Sequence, residues 1–381
     1  MTDTLQRIEV GKYRYFLRTD NFENMSNNTA SRLAFMRDLI LSMITLACGR
    51  LYPTLKPPPA DLTGKVAVIT GANSGIGLHI ALEMARQGAT VYLACRNPSK
   101  AVEAASQVTT RVPASIDRVK TLSLDTSSLS SVREFVETWK YFNTKIDLLF
   151  HNAGISGPPN GQTFTTEGFP TIYATNFLGS FLLTYLLEPY LSEDARVTLT
   201  SSTGQYSGAF STTFSLESTK ERLEPGFHVP VAAVKAGAHP NHSVAYGNTK
   251  AMQAAFARLL QDHFDRKANE AGKQNRRVAH AFSPGFTHTP IFAKTTVKTI
   301  WDDPLFWILT VTTFLATDVS QGAATGVWLA STQDRDVVGR GMGGGYWDRM
   351  TRRVSSVDMM SEEKLERLWV RWEADAGVEW R

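Results

Sequence analysis

Cysteine is almost missing from these 381 residues: Cys48 and Cys95 are too few for a disulfide framework, and no Cys-x-x-Cys or Cys/His cluster signals structural zinc. That usage fits a reducing, cytoplasmic setting, and no metal site is expected. Long hydrophobic runs are missing too. The longest charge-free apolar stretches, 39–49 and 304–317, fall short of the roughly 20 residues that a spanning helix needs. The first lies behind the charged stretch 7–38, too far from Met1 to resemble a secretory signal peptide. Nor is charge of one sign concentrated anywhere. The net charge of +4 forms no basic stripe that could track phosphates, so a nucleic-acid partner is not expected. Apolar residues, at 43%, are plentiful enough for a sizeable core and exclude disorder for the bulk of the chain.

The triplet Pro57-Pro58-Pro59 cannot continue a helix and reads as a boundary. It divides the chain into an N-terminal extension over 1–60, one large domain over 61–350 and a helical tail over 351–381. The extension carries one apolar patch, 33–48, interrupted by Arg37 and Asp38. That patch reads either as a helix packed on the body of the protein or as an interfacial anchor making a peripheral membrane contact. Beyond the prolines, β-branched and apolar runs predict strands over 66–70, 90–95, 119–124, 146–151, 197–201 and 278–282, with a last one near 345–347. Helical periods fall between them, over 76–87, 100–108, 128–141, 169–190, 245–268 and 320–331. This β-α-β alternation predicts an α/β fold: a doubly wound parallel sheet of about seven strands, with helices on both faces and a ligand at the carboxyl ends of the strands. In the tail, Leu365, Leu368, Trp369 and Trp372 follow helical spacing behind a cap at Ser361, which predicts a terminal helix docked by one apolar face.

Thr70-Gly71-Ala72-Asn73-Ser74-Gly75-Ile76-Gly77 follows the first of these strands and opens the first helix, the context that makes a glycine pattern a dinucleotide fingerprint of Rossmann type. Gly71 suits the tight turn, Gly75 the approach of backbone amides to a pyrophosphate, and Gly77 close helix–strand packing. Arg96 ends the second strand where an acid would hold the ribose hydroxyls of NAD. A guanidinium suits the 2′-phosphate instead, so NADP(H) is expected over NAD(H). Asp125, after the third strand, reads equally as an adenine contact or as an ordinary turn and capping residue.

Tyr246 and Lys250 are four residues apart, which places both on one helix face. An ammonium beside a phenol favours the phenolate and predicts a lowered pKa, suited to proton exchange with a substrate hydroxyl. Ser202, following a strand end, supplies a hydroxyl that could hold a substrate oxygen.

Together with Asn152-Ala153-Gly154 and Pro284-Gly285, these motifs occur in an order that resembles the short-chain dehydrogenase/reductase family of classical type over residues 65–347. The resemblance implies Tyr246 as acid/base, Lys250 as the group that lowers its pKa and holds the nicotinamide ribose, and Ser202 as the residue orienting the reacting oxygen. It also implies Asn176 as the anchor of a proton-relay water, Thr289 as a contact to the nicotinamide carboxamide and Asp125 as the adenine contact. The segments 93–97, 166–169 and 179–184 are most similar to the branch containing retinol dehydrogenases, which implies a lipophilic alcohol or carbonyl substrate. A homodimer through the helices over 169–190 and 245–268 is implied in the same way.

Four features depart from that pattern. His151 stands where the family has an asparagine, and reads as a structural substitution. The stretch 203–245 between Ser202 and Tyr246 is an insertion over the active site, read as a pocket wall or lid against a decorative loop. His239 and His242 within it lack a third ligand and read as loop residues. The run 304–317 reads as a greasy pocket wall or a buried helix. The leading expectation is an NADP(H)-dependent oxidoreductase acting on a bulky apolar molecule, in lipid or specialised metabolism. The competing readings are a non-redox enzyme such as a dehydratase or epimerase, and a non-catalytic NADP(H) sensor or scaffold.

Overall fold

The computed structural model describes residues 5–10, 13–18, 29–207, 242–287 and 316–380. In the extension, strands β1 (Leu5–Val10) and β2 (Tyr13–Arg18) form an antiparallel hairpin, and helix α1 (Thr29–Cys48) follows. The main sheet is built from β3 (Val66–Thr70), β4 (Thr90–Cys95), β5 (Val119–Ser123), β6 (Ile146–His151), β7 (Leu191–Thr200), β8 (Val278–Ser283), β9 (Tyr346–Asp348) and β10 (Thr351–Arg353). Its spatial order is β10-β9-β8-β7-β6-β3-β4-β5. The seven strands from β3 to β9 run parallel. An eighth, antiparallel strand, β10, was not expected; it opens the stretch read as a helical tail and pairs with β9 through Thr351–Asp348 to Arg353–Tyr346.

Side chains alternate across the strands with period two, and the two cores follow that alternation. Val66, Val68, Tyr92 and Leu149 face one way, packing with α4 (Leu129–Phe142), α5 (Gly179–Leu187) and α6 (His242–Glu270). Ala67, Ile69, Val91, Leu93 and Phe150 face the other, packing with α2 (Gly75–Arg86), α3 (Pro98–Arg111) and α7 (Val319–Ser331). Strands buried on both faces explain why their sequences are continuous apolar runs.

The tail contains the expected helix, α8 (Glu362–Ala376), capped by Ser361 Oγ, which accepts from Lys364 N at 3.2 Å. Its Trp369 and Trp372, with Trp380, enclose Phe177, Phe181 and Phe256 in one aromatic cluster. Each such ring contributes about 1.5–3 kcal/mol by leaving water. Among the described residues, no helix is long and apolar enough to cross a membrane.

The winding reverses between β3 and β6. From β3 the chain moves outward through β4 and β5, then returns to pair β6 on the other side of β3. Loops leaving those two strands therefore diverge and open a crevice at their carboxyl ends.

Candidate active site

The glycine turn occupies that crevice. Gly71 and Gly75 have φ of +66° and +57°, left-handed conformations open to glycine. A Cβ on Gly71 would fall 2.8 Å from Ala153 Cα, so the turn after β3 lies directly against the loop after β6. Thr70 Oγ1 ties them further, accepting from Asn152 N and Ala153 N, each at 3.0 Å. The Asn152 amide donates to Thr70 O at 3.1 Å and Gly71 O at 3.3 Å, which makes it a brace for the turn. Ser74 is the N-cap of α2 without a side-chain capping bond, and the first helical turn carries no acid. The Ala72 and Asn73 amides point to the Cys95 sulfur, whereas the helix field and the first-turn amides lie open to an anion beside Ser74 and Ile76, and this cradle fits a dinucleotide pyrophosphate.

Arg96 follows β4 with its side chain about half exposed, and its Nε lies 3.9 Å from Asp125 Oδ2. Asp125 Oδ1 accepts from Ser127 N at 2.9 Å and Ser127 Oγ at 2.6 Å, so one of its oxygens is engaged in the turn that leads to α4. Oδ1 thus serves the turn, while Oδ2 is turned toward Arg96. Cys95 is buried, its thiol pushed up to about 11, and it is therefore not a reactive thiolate.

Ser202, Tyr246, Lys250, Asn176 and Gly154 converge at the same rim. Ser202 Oγ accepts from Gly204 N at 3.1 Å and hydrogen-bonds the Tyr246 phenol. Lys250 is buried, donates from Nζ to Thr200 O at 2.7 Å and lies 5.3 Å from the Tyr246 ring centroid. A methyl group on Gly154 would come within 3.4 Å of Asn176 Oδ1 and 3.5 Å of Lys250 Nζ, so these three meet in one place. Asn176 sits in a π turn, Ala174–Leu178, just before α5. Its side chain accepts from Ile155 N at 2.7 Å and donates to Ile155 O at 2.9 Å and Thr249 Oγ1 at 3.1 Å, linking the β6 loop to the helix that bears Tyr246.

Burial pushes the Tyr246 phenol up to about 12, only partly opposed by its bond to Ser202, and pushes the Lys250 ammonium down to about 8. The phenol is thus raised where the sequence predicts a lowering: burial is the larger cause, and the opposing one is the Ser202 hydroxyl, while the Lys250 ammonium gives its hydrogen bond to a strand carbonyl and lies against the ring face.

Pro284 and Gly285 follow β8, with Gly285 at φ +68° and its N–H donating to Ser283 Oγ at 3.1 Å. Thr289 lies outside the described residues, as do His239, the insertion from 208 to 241, and the run from 304 to 315. His242 opens α6. His151 is buried and neutral, its pKa pushed down to about 3 by burial, and Nε2 is 2.7 Å from Thr184 Oγ1, a structural contact between β6 and α5. Thr70, Thr200 and Thr249 were not singled out from sequence. The first two act through strand-end groups that reveal nothing before the strands are paired, whereas Thr249, inside the Tyr-x-x-x-Lys segment, was within reach.

A family model for short chain dehydrogenases matches residues 65–221. Retinol dehydrogenase 12 of Mus musculus is 32% identical over 322 residues, covering 84% of this chain and 89% of that protein. Dehydrogenase/reductase SDR family member 13 of Bos taurus is 42% identical over 163 residues, a match spanning 41% of this chain and 42% of that relative's length. Among solved structures, a protein from Mycobacterium Paratuberculosis superposes with a TM-score of 0.58 at 25% identity, over 84% of this chain and 97% of its own. The 32% identity to retinol dehydrogenase 12 over 84% of this chain, on a sheet whose glycine turn lies at the switch point, places the chain in the short-chain dehydrogenase/reductase family of oxidoreductases, in the branch of the retinol dehydrogenases.

Proposed function

We propose that the protein reduces a carbonyl group to an alcohol, or runs the reverse reaction, on a bulky lipophilic molecule, with NADP(H) as the redox partner. The carrying observation is the Tyr246 phenol, hydrogen-bonded to Ser202 and backed by the Lys250 ammonium at the rim beside the glycine turn. The cradle of Gly71, Asn73, Ser74, Gly75, Ile76 and Gly77 would hold the pyrophosphate, and Arg96 a 2′-phosphate. The bound cofactor supplies or accepts the hydride.

In reduction, Ser202 holds the carbonyl oxygen and Tyr246 donates its proton as negative charge develops there. A phenol near pKa 12 is fully protonated at neutral pH, so it is ready to act as the acid. Lys250, 5.3 Å from the ring centroid, stabilises the phenolate left behind. Alcohol oxidation requires that phenolate at the start, so its rate rises with pH, whereas reduction is supported while Lys250 stays charged, below about pH 8. The lipophilic substrate class is supported by the likeness to retinol dehydrogenase 12.

The test is a panel of apolar aldehydes and ketones assayed for NADPH loss in step with product. Tyr246→Phe should lower turnover by about a thousandfold while cofactor affinity stays within a few fold. Product formed without net cofactor change would favour dehydratase or epimerase chemistry, and a Tyr246→Phe variant as active as the parent would remove the acid/base assignment.

A further inference from the structure

Ser202 stands at the head of a short helical turn, Thr203–Ser207, that folds back against it. Gly204 N donates to Ser202 Oγ at 3.1 Å, and Gln205 N donates to Ser202 O at 3.0 Å. A methyl group on Gly204 would lie 3.6 Å from Ser202 Oγ and 3.8 Å from Tyr246 Cδ1, so a shift of this turn reaches the hydroxyl and the phenol together. Whatever holds the turn from its other side therefore governs how Ser202 is aimed.

That outer side is held by both ends of the chain. From the tail, Ser356 donates its N–H at 3.0 Å and its hydroxyl at 2.6 Å to Gln205 Oε1, and Gln205 is wholly buried, so no water substitutes for these donors. Just after β10, Val354 O accepts from the Tyr206 hydroxyl at 2.8 Å, while Val354 N donates to Asp38 Oδ2 of α1, also at 2.8 Å. One residue thus joins α1 to the turn. The inward stripe of α1 is polar at Asp38, Ser42 and Thr45, all buried, and Asp38 Oδ1 is shared by Arg37 Nε at 2.9 Å and Arg353 at 3.6 Å. Phe35, on the same stripe, packs edge-on against Tyr206 with ring centroids 5.6 Å apart. Apolar contacts tolerate sliding, whereas a buried donor–acceptor set permits one position. We propose that Gln205 and Tyr206 are positioning residues for Ser202, tethering its turn to the tail and to α1, so that residues from both ends of the chain set how the substrate oxygen is held. The inference rests on the catalytic reading of Ser202 and deepens it, since both residues act through the turn and not on the reacting atoms.

The experiment compares Gln205→Met, Tyr206→Phe and, from α1, Asp38→Ala in the full chain, with NADPH and the panel aldehyde that the parent reduces fastest. Each should lower kcat by about tenfold, as expected when a reacting group is displaced by a fraction of an ångström, with NADPH affinity within about twofold. Combined with Ser202→Ala, none should lower kcat further, because the hydroxyl they position is gone; a merely structural loss would multiply instead. Unchanged kcat in Tyr206→Phe, or losses that multiply with Ser202→Ala, would overturn the inference and leave the catalytic reading standing. Should Gln205→Met fail to fold, Tyr206→Phe, which removes a single hydroxyl, decides the matter. A Ser202→Ala variant as active as the parent would remove the catalytic role of Ser202 itself, and this inference with it.

Discussion

Helix α6 carries ionisable groups into the interior at both of its ends, and the two ends handle them in opposite ways. At the N-terminal end, Lys250 has the Thr200 carbonyl and an aromatic face for company but no carboxylate hydrogen bond, so burial wins and drives it down to about 8. Nearby Tyr246 is likewise driven up to about 12. At the C-terminal end, His263 and Lys267 meet the buried carboxylate of Glu188 at 3.2 and 2.9 Å, and Trp380 Nε1 adds a donor at 2.8 Å. Burial opposes that charge too, but the hydrogen bonds prevail and hold Glu188 down to about 2. Desolvation costs both sites; matched donors at one fix the charge, and their absence at the other leaves groups that can exchange protons.

Substitutions at each end should therefore change different observables. The largest effect is expected from Glu188→Ala, which leaves His263 and Lys267 without their acid and should destabilise the fold by about 3–5 kcal/mol, measured by chemical denaturation, with turnover of the folded fraction within about twofold. The sign with pH follows from the lowered carboxyl: its stabilisation is complete above about 4.5 and is lost as pH falls toward about 2, a decline that Glu188→Gln should flatten. If turnover collapsed while stability held, the contrast between the ends would be broken.

Lys250→Met should do the reverse, lowering turnover by about a hundredfold. Lys250 is depressed from 10.5 to about 8, so between those values the unfolded chain holds the extra proton and stability rises with pH. The methionine variant should lack that alkaline rise in a denaturation series. Ser361→Ala, which removes the cap of the helix whose Trp369 stacks on His263, is the smallest change, about 1 kcal/mol in stability with turnover unaltered.

The glycine turn was readable because each glycine answers a local demand, a positive φ or a close approach. Tyr246 and Lys250 were readable as a pair because helical spacing alone puts four-apart residues on one face. The bracing of the turn by Asn152 was not, since its partners lie more than 80 positions away and meet it only once β3 and β6 are paired. Asn176 was placed by resemblance, yet the π turn that aims it and its bonds to Ile155 and Thr249 have no local signature. Helix α1 illustrates the same gap: its apolar patch was evident, but which side turns inward depends on Arg353 and Val354, more than 300 residues on.

Periodicity, glycine placement and strand-end motifs, all consequences of short-range backbone geometry, were enough to specify the doubly wound sheet and the order of its site residues. Whether a buried group keeps or loses its charge, and which face of a helix meets the core, was settled by folding. Desolvation and hydrogen bonding depend on neighbours that the linear chain holds far apart, and Glu188 and Lys250 differ because of the neighbours each one acquired.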